Sequence, residues 1–259
     1  MQTRENIMRS AVHDSYENIA EGILDCYTTK KSTIVHFIYY ANSDKITSNS
    51  EYAKSLENAD FLLPDGIAFQ LLFARKIVMK GKNFWYFLTH IRKTLPTIPS
   101  TNGTDFVPFF LDTLVRNKKE FDISLYGSTQ EVVKKMENWI KKTYKTSPIR
   151  IKNGFEEWEK QDFLPANEKI HILLVGRGSP LQEIWIEENR EYLTKNNYLV
   201  FSVGGLFEFL THTEKRAPKW LQKIRGEWLW RALRYPRKNL KKTLKSLKIF
   251  LEIITNKND

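Results

Sequence analysis

Two apolar, strand-like runs of the sequence end in residues that are able to do chemistry. Asp65 closes the run Ala59–Gly66, and the glycine-containing loop Gly176–Pro180 follows the run Lys169–Val175. The carboxyl ends of parallel strands border the crevice where α/β folds bind ligands. A carboxylate at that edge takes the proton of a hydroxyl group that attacks a substrate, so Asp65 is a candidate general base. The alternative is that Pro-Asp-Gly forms a turn in which Asp65 caps the next helix.

The loop Gly176–Pro180 leads into a predicted helix, whose free backbone N–H groups and dipole favour an anion such as a diphosphate. Gly176 and Gly178 permit close approach of the ligand, although such glycines also form packing turns. Gln182, just inside the helix, is a candidate hydrogen-bond donor or acceptor for the ligand. For Glu183, helix capping and a functional role are equally supported.

Further candidates for substrate binding are Asn42, at the end of another strand-like run, and Thr104 and Asp105, which open a helix. Asn is also a common turn former, and Thr and Asp also cap helices. For each of these residues a local structural role is therefore the alternative.

No Asp-x-Asp pair occurs in the sequence, and the five histidines lack the spacing of metal ligands. We therefore predict no metal and no cofactor. Any phosphate-bearing leaving group must then be stabilised by cationic side chains, and guanidinium groups bind phosphate oxygens in bidentate fashion. The candidates are Arg216, Arg225 and Arg231; the alternative is a solvated basic face.

The elements that must position these residues alternate between strand and helix from Gly103 onwards, which predicts a parallel sheet. Strands are expected at Ser32–Ala41, Ala59–Gly66, Asp122–Tyr126, Ile149–Lys152, Lys169–Val175 and Tyr198–Val203. Helices are expected at Ser50–Asn58, Ile67–Lys76, Gly103–Lys118, Gln130–Tyr144 and Leu181–Leu193. The fold class is thus α/β, a Rossmann-like parallel-sheet core with a basic C-terminal helical appendage.

We predict two parts, a core at residues 1–213 and an appendage at residues 214–259. The appendage is rich in Lys and Arg, and its apolar residues recur at helical spacing on one face: Leu240, Leu244, Leu247, Leu251 and Ile254. A helix of this kind lies in a membrane interface or packs on a core or partner subunit. The aromatic stretch Lys80–Asn102 is interpreted as an inserted amphipathic segment.

The composition narrows the class of partner. The 259 residues carry a net charge of +11 and an isoelectric point near 9.5, which suits phosphates, nucleic acid or anionic lipid. Cys26 is the only cysteine, which fits a reducing compartment. No signal peptide and no transmembrane run are apparent, so a cytoplasmic protein with peripheral membrane contact is expected.

Four blocks in this order and spacing resemble the WecG/TagA/CpsF family of bacterial glycosyltransferases, over roughly Val12 to Arg237. They are Leu63-Pro64-Asp65-Gly66; Gly103-Thr104-Asp105; Gly176 to Glu183 with Trp185-Ile186; and Val203-Gly204-Gly205 through Arg216-Ala217-Pro218 to Glu227-Trp228. The sequence departs from the family pattern at Tyr40, Ser100, Arg177, Glu208 and His212. The donor pocket is therefore expected to differ.

The resemblance implies an inverting transfer of N-acetylmannosamine or a related hexose from a UDP-sugar to a polyprenyl-diphosphate-linked sugar, in cell-surface polysaccharide or teichoic acid synthesis. It assigns the general-base role to Asp65 and places Gly204 and Gly205 with the other candidates around the substrate. The implied location is the cytoplasmic face of the membrane, on an anionic lipid surface.

Two other classes of function compete with this one. Basic patches with interleaved aromatic residues bind single-stranded nucleic acid, but here they cluster in one appendage without a nucleic-acid motif, so no nucleic-acid partner is expected. A membrane adaptor without catalysis leaves Asp65 and Gln182 unexplained. The oligomeric state stays open, and a homo-oligomer is one alternative.

Overall fold

A computed structural model describes residues 2–78, 90, 93–94, 98, 101–160, 169–213, 217–218, 221, 230 and 233–234. The three candidate arginines, most of the segment Lys80–Asn102 and the leucine stripe of the appendage lie outside these residues. The predicted division at residue 213 accordingly stays a prediction.

The described elements follow the predicted alternation. The strands are β1 (Thr33–Tyr39), β2 (Phe61–Asp65), β3 (Phe121–Gly127), β4 (Arg150–Lys152), β5 (Ile170–Gly176) and β6 (Tyr198–Ser202). The helices are α1 (Gln2–Arg9), α2 (Tyr16–Lys30), α3 (Ser43–Ser48), α4 (Ser50–Glu57), α5 (Ile67–Val78), α6 (Gly103–Arg116), α7 (Gln130–Tyr144), α8 (Leu181–Glu188), α9 (Arg190–Lys195) and α10 (Leu206–Leu210). A short 3-10 turn, Tyr40–Asn42, follows β1.

The six strands form one parallel sheet in the order β2-β1-β6-β5-β3-β4, which confirms the predicted α/β, Rossmann-like core. In the centre, β5 pairs with β6 and with β3. The predicted strand–helix–strand unit from β5 to β6 is confirmed. Its helix is not continuous, however, and the prediction of one helix over Leu181–Leu193 is wrong. Asn189 ends α8, and its side-chain amide donates to the carbonyl of Trp185 at 2.7 Å.

Two apolar layers cover the two faces of the sheet. One contains buried residues of α2, α6, α7 and α10, among them Ile23, Phe110, Met136 and Phe207. The other contains Ile186 of α8 and Leu193 of α9, with Tyr198 and Val200 of β6. Because both faces are covered, the central strands are apolar on both sides, which is why they appear in the sequence as continuous apolar runs.

Helix α7 illustrates how local sequence sets an element. Its buried residues Val132, Val133, Met136 and Ile140 recur at helical spacing. The hydroxyl of Thr129 caps the helix by accepting from the backbone N–H of Val132 at 3.4 Å. The helix therefore begins and packs as its sequence pattern indicates.

The chain divides into two compact units, one of Met1–Ile38, Asn42–Leu63 and Thr101–Glu214, the other of Tyr39–Ala41, Pro64–Ser100 and Lys215–Asp259. Within the second unit, the rings of Tyr40 and Phe69 meet edge to face with centroids 5.6 Å apart. The side-chain amide of Gln70 in that unit donates to the carbonyl of Ile98 at 2.8 Å. Across the described residues, no helix is both long enough and apolar enough to cross a membrane.

Candidate functional site

The connections after two neighbouring strands, β3 and β5, leave the sheet on opposite faces. Strand β3 leads into α7, which packs in the layer of Phe110 and Met136, whereas β5 leads into α8, whose Ile186 packs in the layer of Val200. In open α/β sheets, a crevice outside the carboxyl ends of two such strands is the usual ligand site. The ends of β3 and β5 therefore define the candidate site.

Two glycines lie at the ends of these two strands. Gly127 and Gly176 are register partners at the last position of β3 and β5. Gly127 has φ +150°, and a Cβ atom on it would lie 2.4 Å from the carbonyl carbon and oxygen of Gly176. A Cβ on Gly176 would lie 3.1 Å from the carbonyl oxygen of Gly204. The backbones of three strand-end loops thus meet here. A side chain is excluded at Gly127, and the space at Gly176 is tight.

Ser128 and Glu208 form a pair at the same edge. The Ser128 hydroxyl donates to Oε1 of Glu208 at 2.7 Å, and Oε2 of Glu208 has no described hydrogen-bond partner. In the sequence, Glu208 was noted only as a departure from the family pattern. Ser128 was missed, although it follows a strand-end glycine in the same way that Arg177 follows Gly176.

The predicted loop residues come together through Gln182, the second residue of α8. Its Oε1 accepts from the backbone N–H of Gly178 at 3.2 Å and from that of Gly204 at 3.0 Å. Gly178 has φ +78° and Gly204 φ +53°, and a Cβ on either would meet no described atom within 4 Å. Gly205 precedes α10 as its N-terminal cap residue. Four of the predicted binding residues, Gly176, Gly178, Gln182 and Gly204, are therefore neighbours.

Arg177 adds a cation to this loop. Its Nε donates to the carbonyl of Gly154 at 3.1 Å, and its guanidinium lies 5.2 Å from the ring centroid of Tyr126. Gly154 in turn donates its N–H to the carbonyl of Ser128 at 2.8 Å. The departure from the family pattern at Arg177 thus places a guanidinium group beside the ends of β3 and β5.

Glu183, beside Gln182, is fully buried, and its Oε1 accepts from Nε2 of Gln182 at 2.9 Å. Burial raises the pKa of Glu183 to about 7, against the opposing effect of the Gln182 hydrogen bond. Its Oε2 has no described partner. The buried carboxyl group is therefore present in both its neutral and its charged form near neutral pH.

Two side chains from preceding helices hold the same loop. Nζ of Lys45, on α3, donates to the carbonyl of Ser179 at 3.1 Å. The Ser179 hydroxyl donates to the Tyr52 hydroxyl, on α4, at 3.3 Å. Burial raises the pKa of Tyr52 well above its usual value, so Tyr52 is a neutral hydrogen-bonding group. Because these contacts span more than 120 positions in sequence, no local pattern predicted them.

Thr104 and Asp105 lie in the first turn of α6, where Asn102 is the cap residue. Oδ1 of Asn102 accepts from the Asp105 N–H at 2.8 Å and from the Thr104 hydroxyl at 2.6 Å. Nδ2 of Asn102 donates to the Asp105 carboxylate at 2.9 Å. Asn102 is therefore the residue that caps α6, and Thr104 and Asp105 are its hydrogen-bond partners. Their substrate-binding role stays a prediction.

Asn42 and Asp65 each lie directly after or at the end of a strand. Asn42 ends the 3-10 turn after β1, and its side chain makes no capping hydrogen bond to the described start of α3. Asp65 is the last residue of β2 and is half-buried, and Gly66 follows with φ +95°. The strand-end position of Asp65 agrees with the sequence analysis, and its role as base stays a prediction.

Within the described part of the chain, no group of three or more His, Cys, Asp or Glu side chains is arranged to hold a metal ion. His36 is buried in the sheet, and burial, with a smaller effect of the Arg190 charge, lowers its pKa to about 3. His36 is therefore a neutral, buried imidazole.

Together the parallel sheet, its switch point and the glycine loops define an α/β protein with a candidate ligand site at the ends of β3 and β5. The family model of the Glycosyl transferase WecG/TagA/CpsF family matches residues 5–258, and the chain belongs to this family.

One relative is the N-acetylglucosaminyldiphosphoundecaprenol N-acetyl-beta-D-mannosaminyltransferase of Bacillus subtilis (strain 168). It is 28% identical over 191 residues, which are 72% of this chain and 65% of the relative. The match therefore spans slightly less than two thirds of the relative's length.

Proposed function

We propose that this protein is a glycosyltransferase that moves N-acetylmannosamine or a related hexose from a UDP-sugar to a sugar on a polyprenyl diphosphate. The observation that carries the proposal is the family match over residues 5–258. The activity of the Bacillus subtilis relative, named for an undecaprenyl-diphosphate-linked acceptor, supports the same substrate class. The pathway would be synthesis of a cell-surface polysaccharide or teichoic acid.

In this proposal the donor diphosphate lies in the crevice at the ends of β3 and β5. The glycine loops leave room for a ligand, because Cβ atoms on Gly178 and Gly204 would meet no described atom within 4 Å. The guanidinium of Arg177, beside the crevice, matches the charge of a diphosphate. The N–H groups of Gly178 and Gly204 already donate to Gln182. The proposed contacts of the diphosphate are therefore with cationic side chains and not with these two amides.

The chemical step is a single displacement. The acceptor hydroxyl oxygen attacks the anomeric carbon while its proton passes to the Asp65 carboxylate. The bond between the anomeric carbon and the diphosphate oxygen breaks, and UDP leaves with the bonding electrons. Arg216, Arg225 and Arg231 stabilise the negative charge on that oxygen. A displacement without a covalent intermediate inverts the anomeric centre.

The proposed location is the cytoplasmic face of the membrane, where a lipid-linked acceptor and a nucleotide sugar meet. The basic appendage is the proposed contact with anionic lipid, since its lysines surround a leucine stripe.

A screen of UDP-sugars by thermal shift tests the proposal. A ligand present at 100 times its dissociation constant stabilises the protein by about 2.7 kcal/mol, which is a readily measured shift. The donor identified in this way is then assayed for transfer to a short polyprenyl-diphosphate-linked N-acetylglucosamine. Failure of every UDP-sugar and of UDP to stabilise the protein, together with strong salt-sensitive binding of RNA, would favour the nucleic-acid alternative instead.

A further inference from the structure

The side-chain amide of Gln182 connects two loops that are far apart in sequence. Its Oε1 lies 3.2 Å from the N of Gly178, in the loop after β5, and 3.0 Å from the N of Gly204, in the loop after β6. Gln182 itself is only 3% exposed. One buried oxygen atom thus accepts hydrogen bonds from the loop after β5 and from the loop after β6.

The two glycine N–H groups fix which atom of the amide faces them. Both groups are donors, so the atom between them must be the carbonyl oxygen, because the NH₂ group has no acceptor capacity. The NH₂ group is then turned towards Glu183, where Oε1 accepts at 2.9 Å. In the opposite orientation, NH₂ would face two N–H donors and the amide oxygen would face a carboxyl oxygen.

We propose that Glu183 is a positioning residue whose Oε1 holds the Gln182 amide in the one orientation that joins the loops Gly176–Pro180 and Val203–Gly205. Because Glu183 contacts Gln182, which binds both loops, it acts through the loop backbones. Its part in substrate binding rests on the proposed function, because these loops border the site assigned to the UDP-sugar.

Besides Gln182, the side chains that act on the Glu183 carboxyl are the Ser179 hydroxyl and the charged Lys45, and both lower its pKa. Lys45 of α3 lies beyond Ser179, whose carbonyl it binds at 3.1 Å, and Tyr52 of α4 binds the Ser179 hydroxyl. Burial brings the pKa of Glu183 to about 7, so both forms are present near neutral pH. The proton of the neutral form belongs on Oε2, since Oε1 accepts from Gln182, and Oε1 therefore accepts in either form.

Because Oε1 accepts in both protonation states, the proposal can be tested with two variants of matched side-chain size. Glu183→Gln keeps an acceptor oxygen and nearly the same volume, whereas Glu183→Met keeps the volume without the oxygen. Glu188→Met, at an exposed position of the same helix, is the control for the chemical change. Only the loss of the buried acceptor should release the Gln182 amide.

Amide hydrogen exchange measured on the unliganded protein tests the positioning role directly. In Glu183→Met, the Gly178 and Gly204 amides should exchange about tenfold faster than in the parent, which corresponds to the loss of one hydrogen bond's net stabilisation. Glu183→Gln and Glu188→Met should stay within twofold of the parent. Calorimetric titration with UDP should show a dissociation constant about tenfold higher for Glu183→Met alone.

Equal exchange at both glycines in Glu183→Met and Glu183→Gln would overturn the proposal. If Glu183→Met does not fold, hydrogen exchange of the parent protein tests the proposal. Rapid, unprotected exchange of the Gly178 and Gly204 amides in the parent would overturn it. Failure of the proposed function has a different signature. The parent would then not bind UDP, while the exchange pattern would still separate the two Glu183 variants.

Discussion

Gly127 and Gly176 lie so close together that a Cβ atom on Gly127 would be 2.4 Å from the carbonyl group of Gly176. They are also register partners at the ends of β3 and β5. The helix after β3 packs on one face of the sheet, and the helix after β5 packs on the other. The N–H of Ser128, the next residue, donates to the Gly176 carbonyl at 3.0 Å. The crevice therefore depends on a backbone contact that allows no side chain at Gly127.

We predict that Gly127→Ala lowers the free energy of unfolding by about 3 kcal/mol or more, because its Cβ meets backbone atoms that cannot turn away. Gly178→Ala is the matched control. Gly178 also has positive φ, at +78°, but its Cβ would meet nothing within 4 Å. Only backbone strain of about 1 kcal/mol is expected there. Urea unfolding followed by circular dichroism measures both values.

Equal losses of stability in the two alanine variants would show that conformational strain, and not the contact with Gly176, sets the requirement for glycine at position 127. The backbones at the ends of β3 and β5 would then move apart more easily than the distance of 2.4 Å indicates.

The catalytic prediction concerns Asp65. Replacing it with Asn keeps the size of the side chain but removes the basic carboxylate, so turnover should fall by roughly 10² to 10⁴ while UDP-sugar binding and folding persist. Asp25→Asn, at an exposed position of α2, is the control and should leave turnover unchanged. Steady-state transfer rates and thermal shift with UDP-sugar measure the two effects. Activity of Asp65→Asn within about threefold of the parent would remove Asp65 from the role of base.

The sheet was predictable because each central strand is an apolar run that ends at a glycine or polar residue, as β5 does at Gly176. The order of the strands was not, since it depends on contacts between distant segments. The break in the helix at Asn189 was missed because a helical apolar pattern continues through it. Helix α2 lay outside the expectations, although its buried residues Ile19, Ile23 and Tyr27 recur every four positions.

For the site, local sequence identified the strand-end residues and not their partners. The glycines stood out because a loop between a strand and a helix start can bind an anion, and Gln182 because it lies just inside that helix. The contact of Lys45 with Ser179 and that of Ser128 with Glu208 join segments separated by 134 and 80 positions. Burial of Glu183 follows from packing across such segments, so its pKa could not be inferred from the sequence.

The raised pKa of Glu183 predicts a pH dependence of stability. The folded protein holds this proton up to about pH 7, whereas the unfolded chain releases it near the ordinary value of 4.5. The folded state binds more protons between these values, so the contribution of Glu183 to stability is present below pH 4.5 and is lost as the pH rises to 7. Glu183→Gln has no proton that titrates in this range. Its free energy of unfolding, relative to that of the parent, should therefore rise by roughly 3 kcal/mol between pH 4.5 and 7 and then level off.

Urea unfolding of the parent and Glu183→Gln at pH 5, 6, 7 and 8 measures this difference. Glu188→Gln, at the exposed control position, should give a difference that does not vary with pH. A difference for Glu183→Gln that stays constant from pH 5 to 8 would contradict the raised pKa.

Transfer is predicted to proceed without a divalent metal ion, because the sequence contains no Asp-x-Asp pair and the proposed stabilisation of UDP rests on arginines. Excess EDTA in a metal-stripped assay should leave the initial rate nearly unchanged. Added magnesium or manganese should raise it by less than about twofold. An EDTA-sensitive rate that magnesium or manganese restores would show that the arginine-based account is wrong.

The last prediction concerns the appendage beyond Arg237, which lies outside the described residues. The stripe from Leu240 to Ile254 and the five lysines between Lys238 and Lys248 match a helix that lies in a membrane interface. Each lysine near an anionic leaflet contributes roughly 1 kcal/mol, so binding should be reversible and should weaken with salt.

Truncation after Arg237 spares Arg216, Arg225 and Arg231. It should abolish sedimentation with anionic vesicles while turnover on a short, water-soluble acceptor analogue survives. Neutral vesicles, which should not sediment the intact protein, are the control. If the truncated protein sediments with anionic vesicles as fully as the intact one, the helix is not the anchor, and the aromatic segment Phe84–Leu88 becomes the next segment to replace.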